Sequence, residues 1–500
     1  DDGEILSRVE TNVVPAEVRD WLAMTFSRAS SSCPVKKVHK EKPKFRSVAN
    51  AIRAGIMVDK IYRRICCSTG FKVPTKVAAH MKDINEWSFD VFKLNEVSEG
   101  HALKFIGHEL LQRYDFINKF KINLQKLDHF LTRLEQGYSK YHNPYHNLIH
   151  AADVTQTAHH VIHSSGLTTW FSDLEVFSAI VASLIHDFEH TGTTNTFHIN
   201  TSSDTALLYN DKAVLENHHL SSTFRMMKDD EVNLLSNLKK DDYRELRANM
   251  IEIVLSTDMS LHFQQIKTVK HSLNVQETID KTKALSLIVH CSDISHPAKD
   301  WELHHKWTEL LMEEFFRQGD QEEQLSLPVS PLCDRRNTLV AESQIGFIDF
   351  IVDPSLQVLG DMADRFVYLM NHSDRNVSST SACNSVSTQP STTSSTPQSV
   401  LNFETTRTTT RAWEACLVIN KQKWKERSAN GLFAPTACSF QFHRSITFNV
   451  CLLLFNLFLT KVLTFVLFNL IACLHQFYCL FTLALLFVSY TWFYLELLNF

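Results

Sequence analysis

Five hundred residues exceed one ordinary domain, and an apolar content of 44% allows a large core. A net charge of −5 argues against generic nucleic-acid binding. Eleven cysteines without regular spacing, Cys66-Cys67 being the only close pair, fit a reduced cytoplasmic chain better than a disulfide framework.

The first residue is Asp, and no apolar leader follows, so the N-terminus reads as a fragment without a signal peptide. Residues 1–35 carry a predicted helix over Ala16–Leu22, started by Pro15. Residues 36–64 change character, with ten Lys/Arg against Glu41 and Asp59, and residues 36–100 read as a basic regulatory region. From 101 to 372 helical periodicities follow one another with few Gly and Pro, as in Leu103, Ile106, Leu110 and in Leu303, Trp307, Leu310. No alternating strand pattern competes, so the domain is predicted to be all-α. Residues 373–447 read as a Ser/Thr-rich disordered linker. From Phe448 to Phe500 the only acidic or basic residues are Lys461 and Glu496, and the length allows two membrane spans, about 448–473 and 477–499. Lys461 in mid-span opposes that reading, and the same Phe/Leu/Cys/Tyr bias arises when a T-rich non-coding stretch is translated. A genuine hydrophobic tail and a gene-end artefact both stand.

The chemistry concentrates in histidines and aspartates spread over some 150 residues: His146 and His150, His186-Asp187 with His190, and Asp293. On helices the pairs His146/His150 and His186/His190, each four apart, would project from one face. Asp187 closes an apolar run, Phe177–Ile185, where a charge is costly unless paired or metal-bound. A lone histidine is more often a hydrogen-bonded core residue, but the whole set reads as a two-metal hydrolase site. Its lack of cysteine suits a hydrolytic centre better than a structural zinc knot.

From about Val14 to about Met370 the sequence resembles the class I cyclic nucleotide phosphodiesterases, and among them the calcium/calmodulin-dependent family. The resemblance rests on separated stretches: Tyr145-His146-Asn147-Leu148-Ile149-His150, Glu189-His190-Thr191-Gly192, Val214-Leu215-Glu216-Asn217-His218-His219, Ser256-Thr257-Asp258-Met259, Asp293-Ile294-Ser295-His296-Pro297 and Ser343-Gln344-Ile345-Gly346-Phe347. It implies a compact multi-helix HD-type catalytic domain that hydrolyses cAMP and cGMP to nucleoside 5′-monophosphates. By resemblance His150, His186, Asp187 and Asp293 hold Zn²⁺, and Asp187 bridges to a second metal, Mg²⁺ or Mn²⁺, with a hydroxide activated between them. His146 is then the proton donor to the leaving 3′-oxygen, and Glu216 is the carboxylate expected to keep it protonated. His190 would orient water, with Asn195, Thr257 and Asp258 assisting; Thr257 and Asp258 serve equally well as a helix cap.

Substrate recognition is expected from Gln344, whose amide can pair with a purine edge, and Phe347, which can stack on it, the two sharing a helix face. Tyr145, Ile294, Leu311 and Phe315 would complete the walls, core packing being the alternative for the last three. His296 stands where cAMP-selective relatives carry Asn, which points to both nucleotides as substrates.

In the basic segment Phe45, Ala49, Ile52 and Val58 fall at relative positions 1, 5, 8 and 14, anchors that suit the groove of Ca²⁺/calmodulin. A solvated basic face explains the charges alone, and the resemblance favours calmodulin. The family's upstream calmodulin-binding helix is not recognisable, so incomplete activation is expected. Two other readings compete: a different HD-type phosphohydrolase, disfavoured by Gln344 and Phe347, and an inactive calmodulin-binding or membrane-tethered adaptor, disfavoured by the intact ligand set. The expected location is cytoplasmic, with membrane attachment only if the 448–500 tail is genuine.

Overall fold

The computed structural model describes residues 72–275, 279–378 and 411–429. The described residues are helical with no strand, as the periodicities predict. In chain order the α-helices are α1 Thr75–His80, α2 Val91–Val97, α3 Ala102–Arg113, α4 Phe116–Lys119, α5 Leu124–Tyr138, α6 Leu148–Ser164, α7 Asp173–Ile185, α8 Asn195–Asn200 and α9 Asp204–Leu208. They continue with α10 Val214–Met226, α11 Lys240–Leu255, α12 His262–Asn274, α13 Lys281–Asp293, α14 Trp301–Gln324, α15 Val340–Phe347, α16 Asp353–Ser378 and α17 Trp413–Ala429. A π-turn, Ile348–Val352, joins α15 to α16.

Helix α6 is the axis of the body. Every residue from His150 to Ile162 is buried, because α3, α7 and α13 pack around it. Its start is set by Asn147, whose side chain accepts from the backbone N–H of Ile149 (2.8 Å). Helix α7 begins with a capping box between Ser172 and Glu175 and is buried from Val176 to Ile185. Asp280 caps α13 through the N–H groups of Thr282 and Lys283. Three well-started helices thus deliver their ends to one place.

Two expected boundaries move. Residues 75–97 are part of the helical body: Ile84, Trp87 and Leu94 belong to its core, the Trp87 indole donates to the Ala298 carbonyl (2.7 Å), and Gln156 donates to the carbonyls of Ile84 and Glu86. The reason is apolar content, which the basic stretch before them masks in a coarse reading. The second correction is α17, which falls inside the expected 373–447 linker. Trp413, Leu417 and Trp424 are buried, Asn420 donates to the carbonyls of Pro297 (2.8 Å) and Lys299 (2.7 Å), and Arg411 pairs with Asp361 and Asp364. The predicted helix over 16–22, the basic segment and the 448–500 tail lie outside the described residues.

Candidate metal centre and its pocket

His150 enters from the first turn of α6, His186 caps the C-terminus of α7 with Asp187 directly after it, and Asp293 ends α13. Their ligand atoms all lie within 4.8 Å of one another. Asp293 Oδ1 is 3.0 Å from His150 Nε2 and 3.4 Å from His186 Nε2, while Asp187 Oδ2 is 3.5 Å and 3.3 Å from the same two nitrogens.

The chemistry of this donor set fits a cation. His186 Nδ1 sits 2.8 Å from the Ser183 carbonyl and donates to it, which leaves the lone pair on Nε2. That lone pair faces two carboxylates and the His150 Nε2, 3.3 Å away, with almost no solvent. Such a convergence of electron pairs is unfavourable unless a proton or a metal ion sits among them. Accordingly, against the downward push of burial, Asp187 and Asp293 hold His186 well above the usual imidazole range. Against the upward push of burial, His186 and His150 hold Asp187 well below the carboxylate range.

Asp187 also belongs to a second group, with His190 and His219. His219 directs Nδ1 to the Phe188 carbonyl (2.8 Å) and Nε2 to Asp187 Oδ1 (3.5 Å). Asp187 is therefore the member shared by two candidate cation positions, the arrangement a bridging carboxylate needs. His219 was not expected from the sequence, although its neighbour Glu216 was; the available signal was its place three residues after Glu216 on α10.

The helical-face expectation fails for both outlying histidines. Helix α7 ends at Ile185, and Glu189 takes φ 61° in the turn that follows, so His190 reaches the site from a loop. Gly192, at φ 77°, permits that turn; a Cβ there would lie 2.6 Å from Asn143 Oδ1. The Gly192 N–H donates to His190 Nδ1 (3.0 Å), which leaves Nε2 as the protonated nitrogen. Burial first, then His146, hold His190 well below the usual imidazole range, so it is neutral. His146 precedes the Asn147 cap and also lies in a loop, stacked on His190 with ring centroids 3.9 Å apart.

The carboxylate on His146 is Glu314 of α14, not Glu216. Glu314 Oε1 makes a short bond with His146 Nδ1, and Oε2 accepts from the N–H groups of Tyr145 (2.9 Å) and His146 (3.0 Å). Burial pulls His146 down, but Glu314 outweighs it and the imidazole is raised to about 9. The opposing nitrogen, Nε2, lies 4.0 Å from Asp187 Oδ2, beside the candidate cation positions. Glu216 instead accepts from the Asn195 amide (3.0 and 3.2 Å), and burial with Asp258 pushes it up to about 8. Asp258 caps the short 3₁₀ turn Met259–Leu261, and Thr257 donates to the Val254 carbonyl, the capping alternative.

Gln344 is buried on α15, and Phe347 is one turn further on, half-buried. The Gln344 carbonyl oxygen receives one long bond from Thr308 (3.4 Å). Ile294 packs in a small apolar cluster with Leu332 and Ile351, against which Phe315 and Phe347 lean. Leu311 is half-buried against the main core. Tyr145 is buried with its ring on His150, His296 and Trp307. His296 Nδ1 lies 3.1 Å from His304 Nδ1, and the Trp424 indole donates to His304 Nε2 (2.6 Å). The indole can only donate, so His304 carries its proton on Nδ1 and gives it to His296, whose own proton sits on Nε2. Burial, with His150, pushes His296 down to about 3.

Residues 145–373 match the 3′5′-cyclic nucleotide phosphodiesterase family, and residues 1–60 match the 3′5′-cyclic nucleotide phosphodiesterase N-terminal family. The chain is 56% identical over 368 residues to the human dual specificity calcium/calmodulin-dependent 3′,5′-cyclic nucleotide phosphodiesterase 1C, covering 73% of this chain and 52% of that protein. It is 50% identical over 442 residues to the 1B form from Bos taurus, covering 86% of this chain and 79% of that protein. The phosphodiesterase domain of a RhoPDE fusion protein from the choanoflagellate Salpingoeca rosetta superposes with a TM-score of 0.53 at 29% identity, covering 61% of this chain and 97% of that one. The chain spans about half the length of the human relative. Half-identity across most of the bovine protein, on a helical body with the converging His/Asp centre, places this chain in the calcium/calmodulin-dependent 3′,5′-cyclic nucleotide phosphodiesterase family.

Proposed function

We propose that the chain hydrolyses cAMP and cGMP to nucleoside 5′-monophosphates, with Zn²⁺ held by His150, His186, Asp187 and Asp293 and Mg²⁺ or Mn²⁺ at the second position shared by Asp187. The observation that carries this reading is His146, raised to about 9 by Glu314 and aimed at the shared carboxylate. Bound there, the two cations would supply the activated water and neutralise charge on the phosphate. His146 gives its Nε2 proton to the departing 3′-oxygen, while Glu314 holds Nδ1 and keeps the ring oriented. His190, neutral and protonated on Nε2, donates toward the centre and so orients water. Phe347 and Ile294 exclude water from the base. Gln344, held by a single long bond, can turn its amide and present donor and acceptor in either order, which suits adenine and guanine alike.

Regulation by Ca²⁺/calmodulin through residues 36–64, and the division at 1–35 and 448–500, belong to the same proposal; the relatives' names and the basic anchors support the first. Among the described residues no helix is long and apolar enough to cross a membrane. A cytoplasmic setting is proposed on the cysteine pattern. The test is direct: chelation should abolish hydrolysis of both nucleotides, and Zn²⁺ with Mg²⁺ should restore it. Hydrolysis that survives complete metal removal refutes the reading. Calorimetric titration with Ca²⁺-loaded calmodulin, repeated on Arg63→Glu/Arg64→Glu, tests the regulatory part separately.

A further inference from the structure

A cavity of about 510 Å³ lies between the C-terminal end of α10 and the N-terminal half of α11. His219, the α10 member of the second His/Asp group, and Phe224 of the lining are about 7.5 Å apart along the α10 axis, taking 1.5 Å per residue. Three cations line it, Arg225, Lys228 and Arg247, and no carboxylate does. Of the acids near in sequence, Asp230 pairs with Lys126, Asp241 with Arg244, and Asp229 accepts from the Glu231 N–H, while Asp242 and Glu245 do not line the cavity. None of the three cations has an ion-pair partner among the described residues.

The helix C-terminus accounts for Arg225, which sits in the last turn of α10 where the macrodipole favours positive charge. It does not account for Arg247, which comes from the middle of α11. The Arg247 guanidinium lies 3.8 Å over the Phe224 ring, so one flat face is already fixed while the cavity borders it. Tyr243, one turn before Arg247, shares its side of α11, and buried Met227 adds apolar wall. Three like charges lining one cavity repel, and an anion among them reduces that cost. A guanidinium already stacked on one ring has a second face open to another planar group. The volume falls within the range of small-molecule sites, about 300–1,000 Å³, and exceeds what a single inorganic ion fills.

We propose that this cavity binds a small organic anion carrying a planar ring, of nucleotide size, with Arg225 and Lys228 on the anionic group and Arg247 and Tyr243 on the ring. No member of the metal centre lines the cavity, and binding is read without reference to catalysis.

The experiment is backbone hydrogen exchange on the metal-loaded full chain with 5′-AMP, adenosine or inorganic phosphate. 5′-AMP should protect residues 221–247 more than either half-ligand. Arg225→Glu/Lys228→Glu should weaken that protection by about tenfold or more in midpoint concentration, the loss expected for charge-assisted contacts. Protection at the metal centre by the same ligand, and activity without added ligand, should stay unchanged in the double variant; both substituted residues are exposed, so folding is not at stake. No protection of 221–247 by millimolar 5′-AMP overturns the proposal. Equal protection by phosphate alone also overturns it, since the ring would then contribute nothing.

Discussion

Glu314 holds His146 at two places at once, one oxygen on the ring nitrogen and the other on the backbone N–H. One carboxylate thus fixes both the charge of the imidazole and the loop that carries it. Glu314→Gln should keep the backbone contact and lose the charge. We expect kcat to fall, and the alkaline limb of its pH profile to move down by about one pH unit or more, because burial then acts on His146 against Asp187 and Asp293 alone. A profile superimposable on the parent's would remove Glu314 from proton control.

The same pair sets a pH dependence of stability in the metal-free protein. His146 is raised from 6.5 to about 9 on folding, so its contribution is fully present below pH 6.5 and is lost as pH rises through about 9. Chemical denaturation between pH 6 and pH 10 should show this decline in the parent, and a flatter curve in Glu314→Gln.

Asp187 is shared by two clusters, so Asp187→Ala should be the most damaging single ligand change. Bound metal, measured by elemental analysis, should drop by more than one equivalent, whereas Asp293→Ala should lose close to one. His146→Ala should lower kcat by ~10² or more with metal content near normal, since the role proposed for that ring is to donate a proton. Parallel loss of metal in His146→Ala would make it a ligand.

Gln344→Glu supplies acceptors only and should weaken cAMP and cGMP unequally, while Gln344→Ala should raise KM for both. Steady-state kinetics with each nucleotide decide it. Identical effects on the two substrates in the Glu variant would remove the amide from base recognition.

Trp424→Phe deletes the one donor to His304 Nε2 and leaves that nitrogen buried without it. The cost should be about 1–3 kcal/mol in urea denaturation. The freed His304 can change tautomer, so the KM ratio of the two nucleotides should shift with little change in kcat. Unchanged stability and ratio would make the contact incidental.

The convergence of His150, His186, Asp187 and Asp293 was legible as a candidate metal set because these residue types sit in short, distinctive contexts, Asp187 stands out in an otherwise apolar run, and the family resemblance joined the four. Glu314 was not, because Glu313-Glu314 reads as the solvated side of a helix, and its partner is 168 positions away. Glu216, sequence-adjacent to matching histidines, drew the role instead. Helix α17 hid behind a Ser/Thr-rich stretch and a charged surface. Its signal was present in Trp413, Leu417, Asn420 and Trp424, which recur at helical spacing and are all buried. The His190 and His146 loops escaped helical reasoning because a cap and a left-handed turn, rather than periodicity, fix their direction.

Helix α17 also bears on the order in which the protein comes into being. During synthesis the candidate metal ligands leave the ribosome first, and α14 and α15 follow well before residue 413. Domains generally fold as units. A nascent chain that has reached only α16 holds the complete ligand set and Gln344, yet His304 still lacks the indole that selects its tautomer, and Trp87 lacks the ring of Trp413 against it. The packing around His304 and Trp87 is therefore completed only by the final described helix, and a premature stop after residue 378 should yield a polypeptide that carries every candidate ligand but lacks that packing.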